Sequence, residues 1–260
     1  MKILLIGYGN IGQKIFHEDI EPFIKDNEIN IYDTNPKYNK INYFINPSQI
    51  KKQHFNIIYI TVPTNTINHK CDTSIVEEVL KQYSSFTDVI LLKSTVPVGF
   101  TEKMNKIYHN IIFSPEFKST TQFGSKENFL ILGGNKKLSK TIADFYKKIK
   151  PADFKIRYTD STTAEMVKYM ENCFLAMKVT FCNEFADHCN KIGIDYDELR
   201  DLFLLDERIN PSHTIVFSEQ PYYNSHCFNK DIPAFNEQFH GKLMECVEKI
   251  NKEKKSIIKE

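Results

Sequence analysis

The chain begins with an apolar run, Ile3-Leu4-Leu5-Ile6, that stops at Gly7-Tyr8-Gly9-Asn10-Ile11-Gly12. Few features narrow the possible folds as much as this one. A G-x-G-x-x-G directly after a buried strand, with a helical pattern over 12–25 behind it, makes a tight turn into a helix N-terminus. The first glycine permits the turn, the second lets a ligand approach the backbone, and the third lets helix and strand pack closely. The free N–H groups of the helix end then favour a phosphate. Asp33 closes a second apolar run, 29–33, and stands 21 residues after Gly12. A carboxylate there accepts hydrogen bonds from both hydroxyls of an adenosine ribose and repels a 2′-phosphate, which favours NAD over NADP despite Lys37 nearby.

Further apolar runs at 57–62 and 88–92, with shorter ones at 111–113 and 129–132, alternate with helical patterns over 73–83 and 138–149. Strands alternating with helices of this length predict a parallel sheet covered on both faces. The pattern changes near residue 160. From there to Gly193 the chain is free of Gly and Pro, and Thr162-x-x-Glu165 reads as a capping box opening one helix of about 30 residues, ~45 Å long. A helix follows at 195–204, then a loop-like stretch at 206–234 with three prolines, then a helical tail over 236–260. The reading is α/β: an N-terminal doubly wound Rossmann sheet over 1–160, then an all-helical domain over 161–260 built on a long central helix.

Balanced charge, 34 basic against 33 acidic residues, gives no global field for nucleic acid. No run approaches the ~20 apolar residues of a membrane span, and the N-terminus lacks the form of a signal peptide, so the expectation is a cytoplasmic chain with no membrane partner. The six cysteines form no C-x-x-C pair, which argues against zinc and, in that compartment, against disulfides; no metal is expected.

Three segments carry possible chemistry. Lys93-Ser94-Thr95-Val96-Pro97-Val98-Gly99 lies at the carboxyl end of a strand, where ligands of open α/β sheets bind, although taken alone it reads more readily as a polar strand-to-helix turn. Lys168 and Asn172 share a helix face at i, i+4 and together could donate to a developing oxyanion; a solvated helix face is the other reading. Cys227, in a polar segment with Lys230 and Asp231, reads either as a nucleophile or as an inert half-buried thiol.

Taken in order, these segments resemble the UDP-glucose/GDP-mannose dehydrogenase family. Gly7-x-Gly9-x-x-Gly12 and Asp33 are similar to its NAD site, and Val62-Pro63-Thr64 to a loop after one of its strands. Ser94-Thr95-Val96-Pro97-Val98-Gly99 resembles its S-T-V-P-x-G signature, and Ser114-Pro115-Glu116-Phe117 its P-E-F segment. Ala164-Glu165-Met166-x-Lys168-Tyr169-x-x-Asn172, with Asn183-Glu184 beyond, resembles its central helix. Asp206-x-Arg208-Ile209 and Cys227-Phe228-x-Lys230-Asp231 resemble its D-x-R-I and C-F-P-K-D segments, and Leu243 to Lys255 resembles the helix that closes its central domain.

The resemblance implies oxidation of a nucleotide-sugar alcohol with two NAD. Cys227 would attack the aldehyde, and the thiohemiacetal would be oxidised to a thioester that water hydrolyses. Lys168 and Asn172 would stabilise the oxyanion, while Asp231, with Thr95 nearby, would position water. The resemblance places Gly7, Tyr8, Gly9, Asn10, Ile11, Gly12, Asp33, Val62, Pro63, Thr64, Ser94 and Thr95 at the cofactor. Glu116, Phe117, Lys168, Asn172 and Arg208 would meet substrate, and the central helix would form a homodimer.

Three departures stand out. The chain stops where the family's C-terminal nucleotide-sugar-binding domain would start, so it reads as a short form. Thr120 replaces the second acid of P-E-F-L-x-E. Tyr222-Tyr223-Asn224-Ser225-His226 replaces a glycine-rich run before the cysteine, and His226 is a further candidate base. These departures keep two other readings open: an impaired NAD-binding dimeric subunit that needs a partner chain, and a β-hydroxyacid-type dehydrogenase, which also carries Lys-x-x-x-Asn but needs no cysteine.

Overall fold

A computed structural model of the protein describes residues 1–117 and 128–257. It divides into two compact units, Met1–Asn65 with Asp72–Lys168, and Thr66–Cys71 with Tyr169–Glu260.

The first unit is organised by strands that bury both faces. β1 (Lys2–Ile6) has its last four residues buried, which only a central strand of a doubly covered sheet requires. α1 (Asn10–Ile15) follows the glycine turn, and its helical path continues as a π turn over 16–20 and a 3-10 stretch over 21–26. The stretch 12–25 is therefore helical, but not one regular α-helix. β2 (Glu28–Tyr32), α2 (Pro47–Ile50) and β3 (Phe55–Ile60) come next. After the short strands β4 (Thr66–Ile67) and β5 (Lys70–Cys71) come α3 (Ser74–Tyr83), β6 (Thr87–Leu92), α4 (Phe100–Tyr108) and β7 (Ile111–Phe113). β8 (Phe129–Gly133), α5 (Lys136–Ile149) and β9 (Lys155–Thr159) complete the sheet.

The seven strands lie in the order β2-β1-β3-β6-β7-β8-β9. All neighbours are parallel except β7 and β8, so the expected parallel sheet carries one reversed pair. Outside β2, the segment around Phe44 adds a single parallel bridge to Ile31. Alternation sends Leu4, Ile6, Ile58, Ile60, Ile90 and Leu92 into one core and Ile3, Leu5, Ile57, Tyr59, Val89 and Leu91 into the other. Strand order reverses between β1 and β3, so a crevice opens beyond their carboxyl ends.

α6 (Ser161–Ile192) runs across the boundary between the units as one helix of 32 residues. Its start corrects the capping-box reading. Asp160, not Thr162, is the cap: its carboxylate accepts from Thr163 N and Thr163 Oγ1, both at 2.7 Å. Glu165 turns away from the helix start into the core of the first unit. Gly193 ends the helix with φ 75°, a conformation that costs a residue without Cβ little.

The second unit adds α7 (Tyr196–Phe203), α8 (His226–Phe239) and α9 (Lys242–Ile257); α8 and α9 share a core with the remainder of α6 around Cys173, Ala176, Phe228, Ile232 and Val247. α8 corrects the loop reading of 206–234. Pro233 sits inside it, eight residues from the start, and costs the helix one N–H rather than ending it. The helical tail is broken at His240, whose φ is 51°. Among the described residues, no helix is long and apolar enough to cross a membrane.

Candidate functional site

In the first unit the glycine turn is built almost wholly of backbone. A Cβ on Gly12 would lie 2.0 Å from the Gly7 carbonyl oxygen, and one on Gly7 would lie 2.9 Å from the Thr61 backbone. These two glycines are therefore demanded by close packing of helix and strands. Gly9 differs: a Cβ there would meet nothing within 4 Å. Gly9 caps α1 without any side-chain hydrogen bond, and Gly9 and Asn10 are exposed, so the first turn presents backbone to open space. That is the arrangement a pyrophosphate needs.

Asp33 is set beside this turn. Its Oδ2 accepts from Tyr8 N at 2.6 Å and its Oδ1 from Asn35 N at 2.7 Å. Tyr8 lends the turn its backbone, while its ring is buried against Phe16 and Tyr38. Lys37 lies over the Tyr38 ring, 4.6 Å from its centroid. The open Gly9 and the fixed carboxylate fit an NAD: Asn10, Ile11 and Gly12 would offer N–H groups to the phosphates and Asp33 would take the ribose.

The loops after β3 and β6 are laced together. Thr64 Oγ1 donates to the Thr95 carbonyl and Ser94 Oγ to the Val62 carbonyl, each at 2.7 Å. Val62, Pro63, Thr64, Ser94 and Thr95 thus form one assembly at the carboxyl ends of neighbouring strands. Beside it, Lys93 Nζ lies 3.2 Å from Glu116 Oε2 and donates to Ser114 Oγ at 3.2 Å, with both charged side chains almost fully buried. Glu116 therefore spends its charge on an internal pair. Lys168 is buried, with Nζ 5.1 Å from the centroid of the Phe117 ring. Thr120 lies outside the described residues.

In the second unit a side-chain cluster stands beneath Cys227. Ser225 caps α8 by accepting from Phe228 N at 3.1 Å, which places the exposed Cys227 in the first turn, where free N–H groups favour negative charge. Cys227 thus lies on a helix rather than in a polar loop. Four residues on and on the same helical face is Asp231, 2% exposed. Its carboxylate accepts from Asn172 Nδ2 at 2.6 Å and pairs with Lys230 Nζ at 2.5 Å. Thr66 Oγ1 donates to the Lys230 carbonyl at 2.6 Å, tying β4 to α8. Burial, reinforced by the Asp231 charge, pushes the Cys173 thiol up to about 12, so it remains a neutral core thiol. His226 is exposed. Arg208 is also exposed and makes a two-pronged pair with Asp206, with Nη2 2.6 Å from Oδ2. Among the described residues, no group of three or more His, Cys, Asp or Glu is placed to hold a metal ion.

Sequence spacing gave no sign of the Lys93–Glu116 pair or of the role of Ser225. The available signals were opposite charges directly after adjacent parallel strands, and a serine three residues before the N–H it caps.

Residues 39–150 match the NAD binding domain of the UDP-glucose/GDP-mannose dehydrogenase family, and residues 162–253 match that family's central domain. The chain belongs to this family. A UDP-glucose 6-dehydrogenase of Campylobacter jejuni is 31% identical over 231 residues, 81% of this chain and 57% of that protein. One from Rickettsia bellii is 32% identical over 77% of this chain and 50% of its own length. The chain thus spans about half the length of the curated relatives it matches. A UDP-D-ManNAc dehydrogenase from Pyrococcus horikoshii shares the fold, with TM-score 0.82 at 23% identity over 99% of this chain and 69% of that one.

Proposed function

We propose that this chain is an NAD-dependent nucleotide-sugar dehydrogenase that works through Cys227. The observation that carries the reading is the buried Asn172–Asp231–Lys230 cluster one helical turn from an exposed thiol at a helix start. Asp231 is held by two donors, a costly arrangement for a surface helix and a useful one for a group that must orient water.

NAD, when bound, accepts one hydride in each of two oxidations. The chain's own residues do the rest. The Cys227 sulfur adds to the carbonyl carbon of the aldehyde, and the carbonyl oxygen gains the proton or hydrogen bonds that stabilise it. Lys168 and Asn172 supply such donors, neutralising charge that develops only during addition. Loss of a hydride to the oxidant and of the hydroxyl proton to solvent would leave a thioester on Cys227. Water then attacks, the C–S bond breaks, and the carboxylate leaves with the thiol regenerated. Asp231 holds that water. Arg208 binds substrate, and release from Asp206 frees its guanidinium to do so.

We further propose a homodimer formed through α6. Met170, Phe174, Phe181, Phe185 and Ile192 are 44–70% exposed. At 100° per residue they fall within a stripe about 60° wide, a continuous apolar seam that supports pairing with a second copy.

The test is Cys227→Ala in the full chain, assayed by NADH formation with UDP-glucose, GDP-mannose and UDP-N-acetylmannosamine. Turnover to the acid is expected to fall by about 10³-fold or more, with NAD affinity unchanged. Unaltered turnover in the variant rejects the thiol mechanism and favours the β-hydroxyacid-type reading.

A further inference from the structure

Glu165 is fully buried, and its carboxylate reaches two backbone donors 64 and 66 residues away. Oε2 accepts from Gly99 N at 2.6 Å and Oε1 from Thr101 N at 2.8 Å. Gly99 is the N-cap of α4, with φ 92° and no side-chain cap of its own. The start of α4 is therefore capped from another element, α6. The opposite end of the same loop is tied by Ser94 Oγ to the Val62 carbonyl and by the Thr95 carbonyl to Thr64 Oγ1. Segment 94–99 is thus held at both ends, and at its far end the holder is Glu165. Lys168 stands three residues further along α6, on an adjoining part of the same turn.

We propose that Glu165 is a positioning residue that ties the Ser94–Gly99 loop to the turn of α6 carrying Lys168, so that cofactor-side loop and lysine hold one register. The role rests on the proposed reading that this loop meets NAD. A carboxylate suits the task because it offers an acceptor to each N–H. A glutamine offers one acceptor and turns an NH2 toward the other donor, leaving a buried N–H unpaired. Protonation of the carboxyl has the same consequence. Burial raises the Glu165 carboxyl above its ordinary value, the Thr101 and Gly99 donors pull it back, and the Asp160 charge adds a smaller upward push.

The experiment measures NAD affinity by calorimetry for wild type and Glu165→Gln in the full chain, at several pH values between about 5 and 8. At neutral pH the variant is expected to bind NAD about tenfold more weakly, a difference of ~1.4 kcal/mol. Wild-type affinity should decline toward the variant's as the pH falls, and the ratio between the two should narrow. A constant ratio across the range, with only a lowered Tm, overturns the proposal, since a purely structural contact predicts that pattern. Should the variant fail to fold, hydrogen exchange on the wild type decides. NAD should slow exchange at 99–103 and at 165–170 together; slowing confined to the glycine turn overturns the role. A wild-type chain that binds no NAD removes the functional reading itself, an outcome distinct from equal affinities in the two proteins.

Discussion

The two units treat their apolar surface in opposite ways. The sheet unit buries its central strands: β1, β3 and β6 have almost every residue buried, and its glycine turn is made of backbone. The helical unit leaves Met170, Phe174, Phe181, Phe185 and Ile192 exposed along one stripe, and its Asn172–Asp231–Lys230 cluster is made of side chains. The first unit is packed tightly enough that Gly7 and Gly12 leave no room for a Cβ. The second is specified by side-chain identity and carries the exposed stripe on which the proposed dimer rests.

The largest effect expected from this contrast lies in the glycine turn. Gly12→Ala puts a methyl 2.0 Å from the Gly7 oxygen and should destabilise the first unit by about 3 kcal/mol in urea unfolding. Gly9→Ala meets no protein atom, so Tm should hold while NAD affinity falls about tenfold. If Gly9→Ala binds NAD as well as wild type, the open backbone is not a ligand cradle. A smaller effect belongs to the seam. Phe181→Glu with Phe185→Glu should convert a dimer to a monomer in sedimentation equilibrium, while changing monomer stability by less than about 1 kcal/mol. A wild-type chain that is already monomeric at micromolar concentration would erase that side of the comparison.

The smallest effect concerns pH. Partial desolvation and the Lys178 charge hold His213 below 6.5, and its ring lies 5.8 Å from that of Phe228. A lowered folded value means the proton is taken up more readily on unfolding. The contribution to stability is present above pH 6.5 and is lost as the pH falls through the lowered folded value. His213→Gln should flatten the acid limb of the second unit's Tm profile. A variant profile parallel to wild type would show that the ring does not report on folding.

How much of this was legible in the sequence follows from the same contrast. The glycine turn and Asp33 were readable because spacing alone encodes backbone sites. β9 is not legible because Lys155-Ile-Arg-Tyr-Thr is an edge strand with no buried residue and so has no apolar run. Cys227 was assigned to a loop because Pro233 and the flanking polar residues mask a helix that tertiary packing supports. Glu165 sat three residues after a threonine, the spacing of a capping box, yet its carboxylate is spent on Gly99 and Thr101. Local pattern cannot report a partner 66 residues away. The family resemblance singles out Asn172 for the oxyanion and Asp231 for water, as separate roles; it does not report that the two side chains are hydrogen-bonded to each other.

The bond from Tyr8 N to Asp33 has a consequence for recognition. The carboxylate is already aimed by the backbone, so a vicinal diol bound there, as the NAD reading proposes, would meet an acceptor with its torsions chosen and little rotational entropy left to lose. Selectivity at that corner is a matter of preset direction, and one added methylene, as in Asp33→Glu, would misdirect the same charge.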